Sequence, residues 1–193
     1  MLGEMLQNVR ENRPLVHCIT NYVTANDCAN LLLACGGSAI MADEMEEAEE
    51  VTSLCGGLVL NLGTPNPRKV EAMLRAGREA NRMGRPVVFD PVGVGCSAFR
   101  REAGSRILEQ VQLSVIRGNA SEIAALTGGE TGRCGVDADA SAASAEKSAR
   151  LLAKKTGAVV VASGATDLVT DGEALYCVHN GHPMMRTVTG TGC

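Results

Sequence analysis

The chain has 193 residues, enough for one sizeable hydrophobic core, and its 45% apolar and 21% charged residues are typical of a globular protein. Its net charge of −4, without a block of basic residues, argues against a nucleic-acid partner. Because no apolar run is long enough to cross a membrane and the first residues are too polar for a secretory signal, we expect a cytoplasmic protein without a membrane partner.

Six short apolar runs alternate with segments of helical periodicity, which predicts an α/β fold. The predicted strands are LVHCI (15–19), SAIMA (38–42), LVLNL (58–62), PVVFD (86–90), LSVIR (113–117) and AVVVAS (158–163). Their nearly continuous apolar character indicates a parallel sheet that is buried on both faces. Helices are predicted from residues 24–27 to the Gly36–Gly37 stop, and over residues 67–83, 100–111 and 139–156.

The pattern changes after residue 163. TDLVT and EALYCVH flank Asp171 and Gly172, which predicts an antiparallel hairpin at the edge of the sheet. Neither a repeat nor a linker-like stretch interrupts the chain, so residues 1–193 are expected to form a single domain.

The cysteines and histidines do not predict a metal centre. The eight cysteines contain no C-x-x-C pair, so the spacing of a zinc or dithiol site is absent. His179 and His182 are three residues apart, but Gly181 and Pro183 would break any helix that aligned them, and a turn is expected.

Ligands of open parallel sheets bind beyond the carboxyl ends of the strands, so the residues at those ends are candidates for a site. Asp90 ends PVVFD and could hold a metal through water or cap the following turn; its position does not decide between the two. The loop GVGCSA matches G-x-G-x-x-A, but Asp-Pro separates it from the strand, so a dinucleotide site is not expected.

Two further strand ends carry polar side chains. Arg117 ends LSVIR, and a guanidinium at that place needs an anionic partner such as phosphate. Asn119 and Glu122 have the spacing of a helix capping box, which gives Glu122 a structural role. Ser163 with Gly164 could approach a nucleotide or form an ordinary turn.

The final stretch, TVTGTGC (187–193), places glycines at alternate positions and is either a flexible tail or an anion-binding turn. Seven stretches, in order from residue 14 to residue 193, resemble the hydroxyethylthiazole kinases of thiamine biosynthesis, within the ribokinase-like superfamily. They are PLVHCITNYVT (14–24), IMADEMEE (40–47), LVLNLGT (58–64), FDPVGVGCSAFR (89–100), VIRGNASEIAAL (115–126), HNGHP (179–183) and VTGTGC (188–193).

The resemblance implies ATP-dependent phosphorylation of the hydroxyl of 4-methyl-5-(2-hydroxyethyl)thiazole, with Mg²⁺. It implies a three-layer fold whose mostly parallel sheet is flanked by helices, without a lid domain. It also implies a homotrimer in which each thiazole site lies between two subunits.

The resemblance assigns roles to individual residues, which stay expectations at this point. Asn21, Met41 and Gly190 would contact the thiazole, and Arg117 and Ser163 would contact ATP. Asp90 and Glu122 would lie at the magnesium ion. Cys193 would close the anion hole as the catalytic base, in the place where the superfamily usually has an aspartate.

Members of the family continue beyond the glycine-rich turn, so the chain is expected to be incomplete at its C-terminus. A terminal carboxylate at Cys193 would then lie in the anion hole, and we expect little kinase activity from the 193-residue form. Two alternatives remain: another ribokinase-like kinase, such as one for a hydroxymethylpyrimidine, or an inactive binding or assembly protein.

Overall fold

The computed structural model describes residues 2–128 and 142–191 and is built around one eight-stranded sheet. The strands are β1 (Leu15–Ile19), β2 (Ser38–Ile40), β3 (Gly57–Asn61), β4 (Val87–Asp90), β5 (Val115–Asn119), β6 (Val159–Ser163), β7 (Asp167–Thr170) and β8 (Leu175–Val178). Their order is β2-β1-β3-β4-β5-β6-β7-β8. The first six are parallel. Strand β7 pairs antiparallel with β6, and β8 pairs antiparallel with β7.

Helices lie on both faces of this sheet. They are α1 (Leu2–Asn12), α2 (Ala25–Cys35), α3 (Ala48–Ser53), α4 (Pro67–Arg82), α5 (Ala98–Gln110), α6 (Ala120–Leu126) and α7 (Ala142–Thr156), followed by a 3₁₀ turn over Pro183–Thr187. The β1–α2–β2 crossover runs along the sheet in the opposite direction to the later ones. Right-handed crossovers therefore place α2 on the face opposite α3 to α7, which gives three layers.

The main hydrophobic core lies between the sheet and α4 to α7. Leu60, Phe89 and Ile116 point from three neighbouring strands into this layer and are fully buried, together with one side of α4. On the α2 face, Val59 and Val88 are only half-buried, and none of the residues of α2 itself is buried. No helix in the two described ranges has the length and apolarity needed to span a membrane.

The sequence predicted the sheet well. All six predicted parallel strands are present, and β1 has the predicted bounds. The largest shift is in β5, which begins two residues late because Ser114 bonds the main chain of Val87 as part of the preceding connection. The hairpin is also confirmed, although Asp171 begins a four-residue connection in which its carboxylate accepts from the amides of Glu173 and Ala174.

Local capping explains most helix bounds. Gly36, with φ 99°, ends α2 in the left-handed conformation, as the Gly36–Gly37 stop predicts. Asn66 and Ser97 cap α4 and α5 by accepting from backbone amides three residues on. The predicted helix over 139–156 is described from Ala142 onward, and its first three residues lie outside the described ranges.

Two helices were not predicted. The helix α1 lies mostly in solvent, and the helical spacing of Leu2, Met5, Leu6 and Val9 was missed. The helix α3 has only six residues, too few to show a period.

Gly77 allows α4 to approach the chain just before β5. A Cβ built on Gly77 would lie 2.5 Å from Cγ2 of Val111, a stiff β-branched side chain. We predict that Gly77→Ala lowers the free energy of unfolding by about 1–3 kcal/mol, because overpacking outweighs the better helix propensity of alanine. Urea unfolding measures this.

Gly3→Ala is the matched control, because a Cβ on Gly3 in α1 meets nothing within 4 Å. It should leave the stability unchanged or raise it by up to about 1 kcal/mol. Equal effects of the two substitutions would contradict the close approach at Gly77.

Candidate functional site

Three amide and carboxylate side chains form a hydrogen-bonded chain across the carboxyl ends of β1, β3 and β4. Asn21, just beyond β1, donates from Nδ2 to Oδ1 of Asn61 at 3.1 Å. Asn61 in turn donates from Nδ2 to Oδ2 of Asp90 at 2.7 Å. All three residues are buried, and the pairing of Asn61 with Asp90 in neighbouring strands brings the last two together.

The orientation of Asn21 is fixed by the first turn that follows it. Its Oδ1 accepts from the backbone amides of Val23 and Thr24, both at 3.0 Å, and from the Thr24 hydroxyl at 3.1 Å. Its amide nitrogen is thereby directed toward Asn61. Gly63 approaches so closely that an added Cβ would lie 2.5 Å from Cβ of Asn21, so only glycine fits there.

The carboxyl group of Asp90 is protonated more readily than an ordinary aspartate. Burial, and next the negative charge of Glu122, raise the pKa of Asp90 to about 7, although Arg117 and the Asn61 hydrogen bond act in the other direction. The charge of Glu122 therefore disfavours the ionised form of Asp90 at the end of β4, and the positive charge of Arg117 favours it.

Glu122 has the structural role that its spacing predicts. Its carboxylate accepts from the backbone amide of Asn119, whose side chain caps the amide of Glu122, so the capping box is confirmed. Its second oxygen accepts from the amide of Gly93 at 2.8 Å. Glu122 thus joins the loop after β4 to the start of α6. The amide of Gly93 in the GVGCSA loop is used in this contact.

Arg117 and Ser163 lie on one face of the sheet, near the carboxyl ends of β5 and β6. Arg117 pairs with Val161 and Asn119 pairs with Ser163 in the parallel β5–β6 ladder, so the alternation of side chains puts Arg117 and Ser163 on the same side. Asp90 lies on that side as well, because β4 pairs with β5 through Val88 and Val115.

The other predicted site residues are less closely joined. Met41 follows β2 directly and is 38% exposed. Gly190 has φ 91°, and a Cβ added there would lie 3.5 Å from Cγ2 of Thr24, which places the glycine-rich turn against the entry of α2. Cys193 lies outside the described residues.

Arg100, at the start of α5, was not assigned a role from the sequence. Its guanidinium donates to the carbonyl oxygens of Leu62, Gly63 and Val92, and so holds together the loops that follow β3 and β4. The one signal in the sequence was its position three residues after Ser97, whose side chain caps the start of α5 by accepting from the amide of Arg100.

His17 was also overlooked. This buried histidine of β1 bonds Thr52 Oγ1 at 2.9 Å and the Ala42 carbonyl at 2.8 Å, and its burial, only partly offset by the bond to Ala42, lowers its pKa. The bond to Ala42 anchors the loop that carries Met41.

His179 and His182 do not form a pair. His179 bonds the Thr166 hydroxyl, and His182 caps the 3₁₀ turn through the amide of Met184. Among the residues that the structure describes, no three histidine, cysteine, aspartate or glutamate side chains cluster closely enough to hold a metal alone.

A mostly parallel sheet with an antiparallel edge, polar residues at its carboxyl ends and helices on both faces defines a ribokinase-like α/β fold. Adenosine kinase from Sinorhizobium meliloti shares it at a TM-score of 0.53 and 15% identity, over 86% of this chain and 57% of that one, a likeness of fold alone. More specifically, the chain belongs to the hydroxyethylthiazole kinase family, whose model matches residues 6–193.

Two similar proteins agree with this assignment. The chain is 50% identical to a hydroxyethylthiazole kinase of Clostridium acetobutylicum over 200 aligned residues, which cover all of this chain and 73% of the relative. The solved structure of a hydroxyethylthiazole kinase protein from Pyrococcus horikoshii superposes with a TM-score of 0.88 at 42% identity, over 98% of this chain and 71% of that one.

The raised pKa of Asp90 predicts a particular pH dependence of stability. Between its usual value of 3.8 and about 7 the folded protein keeps a proton that the unfolded chain releases, so the free energy of unfolding falls as the pH rises through this window. Asp90→Asn has no such proton. The stability of this variant relative to the parent should rise by roughly 2–3 kcal/mol between pH 5 and pH 8.

The measurement is urea unfolding at several pH values in the presence of a metal chelator, since a bound cation would favour the charged form. Asp171→Asn is the control, because hydrogen bonds from the amides of Glu173 and Ala174 lower the pKa of this exposed carboxyl instead. Parallel stability curves for the Asp90→Asn variant and the parent protein would show that Asp90 titrates normally.

Proposed function

We propose that this protein transfers the terminal phosphoryl group of ATP to the hydroxyl of 4-methyl-5-(2-hydroxyethyl)thiazole. Membership of the hydroxyethylthiazole kinase family over residues 6–193 is the observation that carries the proposal. The residues at the carboxyl ends of the strands support the proposal. Asn21 is hydrogen-bonded through Asn61 to Asp90, and the charge of Arg117 acts on Asp90. An alcohol site next to a phosphate site is the arrangement that phosphoryl transfer requires.

We assign the thiazole to the surface formed by Asn21, Met41 and Gly190. The Asn21 amide is held rigidly by its own turn, and the glycine-rich turn packs against Thr24 in that same turn. The exposed thioether of Met41 suits an aromatic heterocycle that contains sulfur.

The nucleotide is assigned to Arg117 and Ser163. Their common sheet face and common edge, next to Asp90, would let one phosphate chain contact both side chains. A guanidinium matches phosphate oxygens in geometry and charge.

The residues present fit a magnesium ion. Glu122 disfavours the ionised form of Asp90, so a cation beside them would offset that repulsion. Mg²⁺ usually takes only one or two carboxylates together with phosphates and water. Asp90 and Glu122 would hold it, and it would offset the negative charge of the transferred phosphoryl group. Asn61 keeps the Asp90 carboxylate oriented, and Arg100 fixes the loop that follows it.

Cys193 is proposed as the base that takes the proton of the hydroxyl. A thiol suffices for this role because positioning and charge stabilisation provide most of the catalysis in phosphoryl transfer.

The proposed assembly is a homotrimer of single-domain subunits. The helix α2 supports a subunit contact next to the site, because it begins four residues after Asn21 and its Leu31 and Leu33 are 64% and 58% exposed. Light scattering on the purified protein gives the mass of the assembly.

The assay that tests the proposed function measures ADP release with the thiazole alcohol and, separately, with a hydroxymethylpyrimidine. A chain extended at its C-terminus should turn over the thiazole alcohol, with a kcat/KM at least about tenfold higher than for the pyrimidine. Both this chain and a version continued with the C-terminal segment of the Clostridium acetobutylicum relative are assayed, because that relative is longer than the matched region.

Three outcomes separate the candidates. Preference for the pyrimidine would favour a different kinase of the same fold. Binding of the thiazole without ADP release in either version would favour a binding or assembly protein. Turnover confined to the continued version would agree with the low activity expected of the 193-residue form.

Arg117 gives a prediction for the nucleotide side of the site. Arg117→Ala should weaken MgATP binding about 10- to 100-fold, the effect of losing a charged hydrogen bond to phosphate, and change thiazole binding less than twofold. Calorimetry measures both affinities. Arg106→Ala, which removes a half-exposed arginine paired with Glu71, is the control, and equal nucleotide affinity in all three proteins would remove Arg117 from the site.

A further inference from the structure

Lys69, in the first turn of α4, is a buried lysine with a full set of partners. Only 1% of the residue is exposed. Its Nζ donates to the carbonyl oxygen of Thr20 at 3.0 Å and lies 3.0 Å from Oδ2 of Asp43. The same ammonium lies 3.7 Å from the centroid of the Tyr22 ring. A buried charge needs such compensation, and here two polar contacts and a cation–π contact provide it.

These three partners come from two different loops. Thr20 and Tyr22 flank Asn21 in the loop after β1, whereas Asp43 lies two residues beyond Met41 in the loop after β2. One ammonium group therefore contacts both loops that carry the proposed thiazole residues.

A further hydrogen bond closes the arrangement. The Tyr22 hydroxyl donates to Oδ2 of Asp43 at 2.8 Å, so this carboxylate oxygen receives both the phenol and the ammonium. Partial burial raises the pKa of Asp43, but the hydrogen bonds from Tyr22 and Lys69 outweigh that effect and hold the pKa below its usual value. The acid is thus ionised opposite Lys69 at neutral pH.

Lys69 is too deeply buried to touch a substrate, whereas Tyr22 is 67% exposed on the outer side of the same contact. We propose that Lys69 is a positioning residue that sets the shape of the thiazole pocket by holding the loops after β1 and β2 at a fixed distance. The proposal rests on the proposed function for the identity of the substrate, and on the contacts of Lys69 for the joining of the loops.

Arg68, the preceding residue, provides a matched comparison. It bonds Glu44 and Glu46 of the loop after β2, but all three side chains are at least half exposed. Exposed ion pairs of this kind contribute little because water screens them and the side chains lose entropy. Arg68 touches the same loop as Lys69 without reaching the loop after β1.

The kinetic test compares Lys69→Met with Arg68→Met in the continued version of the chain, since methionine keeps much of the length of either side chain without its charge. We expect Lys69→Met to raise the KM for the thiazole alcohol about 10- to 100-fold, the usual penalty of misplaced binding groups, and to leave the KM for ATP within about twofold. Arg68→Met should change neither constant by more than about twofold. A KM unchanged by Lys69→Met, or equal rises in both KM values, would overturn the proposal.

Hydrogen exchange supplies a second readout that does not depend on turnover. Amides of residues 20–24 and 41–47 should exchange at least about tenfold faster in Lys69→Met than in the parent, while those of β3 and β4 stay unchanged. Unchanged exchange in either loop would overturn the joining role. If neither this chain nor the continued version phosphorylates the thiazole, the proposed function fails, and the exchange experiment still decides whether Lys69 joins the loops.

Asp43→Asn covers the case in which Lys69→Met does not fold. This change lies in a partly exposed side chain and removes the charge that Lys69 faces, so it should produce the same selective rise in thiazole KM. Tyr22→Phe keeps the ring over the ammonium and loses one hydrogen bond, and its effect should be smaller. A larger effect from Tyr22→Phe than from Asp43→Asn would contradict the central place of Lys69.

Discussion

The hydrogen bond between Asn61 and Asp90 is the contact on which the rest of the site depends. Parallel pairing of β3 with β4 sets the two residues side by side, and burial makes each of them need a partner. Asn61 donates to Asp90 with its amide nitrogen, and its oxygen accepts from Asn21 and from the amide of Gly63. One pairing in the sheet thereby orients the loop after β1 and the loop after β3 together.

Two basic side chains of α4 and α5 hold these loops by hydrogen bonds to their carbonyl groups. Arg100 of α5 binds carbonyl groups after β3 and β4, and Lys69 of α4 binds the carbonyl of Thr20. Loop carbonyls beyond the strand ends lack ladder partners, and long basic side chains satisfy them without adding a further element to the fold. The site is therefore held partly by residues to which the sequence assigned no substrate contact.

The sequence predicted those parts of the molecule whose cause is local. The continuous apolar run of β1, the stop at Gly36 and the capping box of Asn119 with Glu122 each depend on a few neighbouring residues, and each was predicted. Lys69 and Arg100 could not be predicted in the same way. Most of their partners lie tens of residues away along the chain, and a charged residue near the start of a helix is ordinarily solvated.

The predicted site residues divide along the same line. Asp90 and Ser163 end strands, whereas Arg117, predicted to end β5, lies two residues before its end. Their closeness at the carboxyl ends of the strands followed from the order of the strands once the sheet was known. That Asp90 is joined to Asn21 through Asn61 depends on side-chain geometry across three strands, which no spacing in the sequence reveals. Met41 and Gly190 lie in loops, and their roles stay predictions.

The helix α2 adds no buried side chain to the described fold of one chain, and this has a consequence for binding. A helix without a share in the core can detach while the sheet stays intact, because the free energy of that opening is small compared with global unfolding. Detachment would carry Thr24 and the turn that orients Asn21 away from the edge of the sheet. The measured affinity for an alcohol would then be the intrinsic affinity multiplied by the fraction of molecules whose α2 is docked. A contact that covers Leu31 and Leu33 would strengthen binding without touching the ligand.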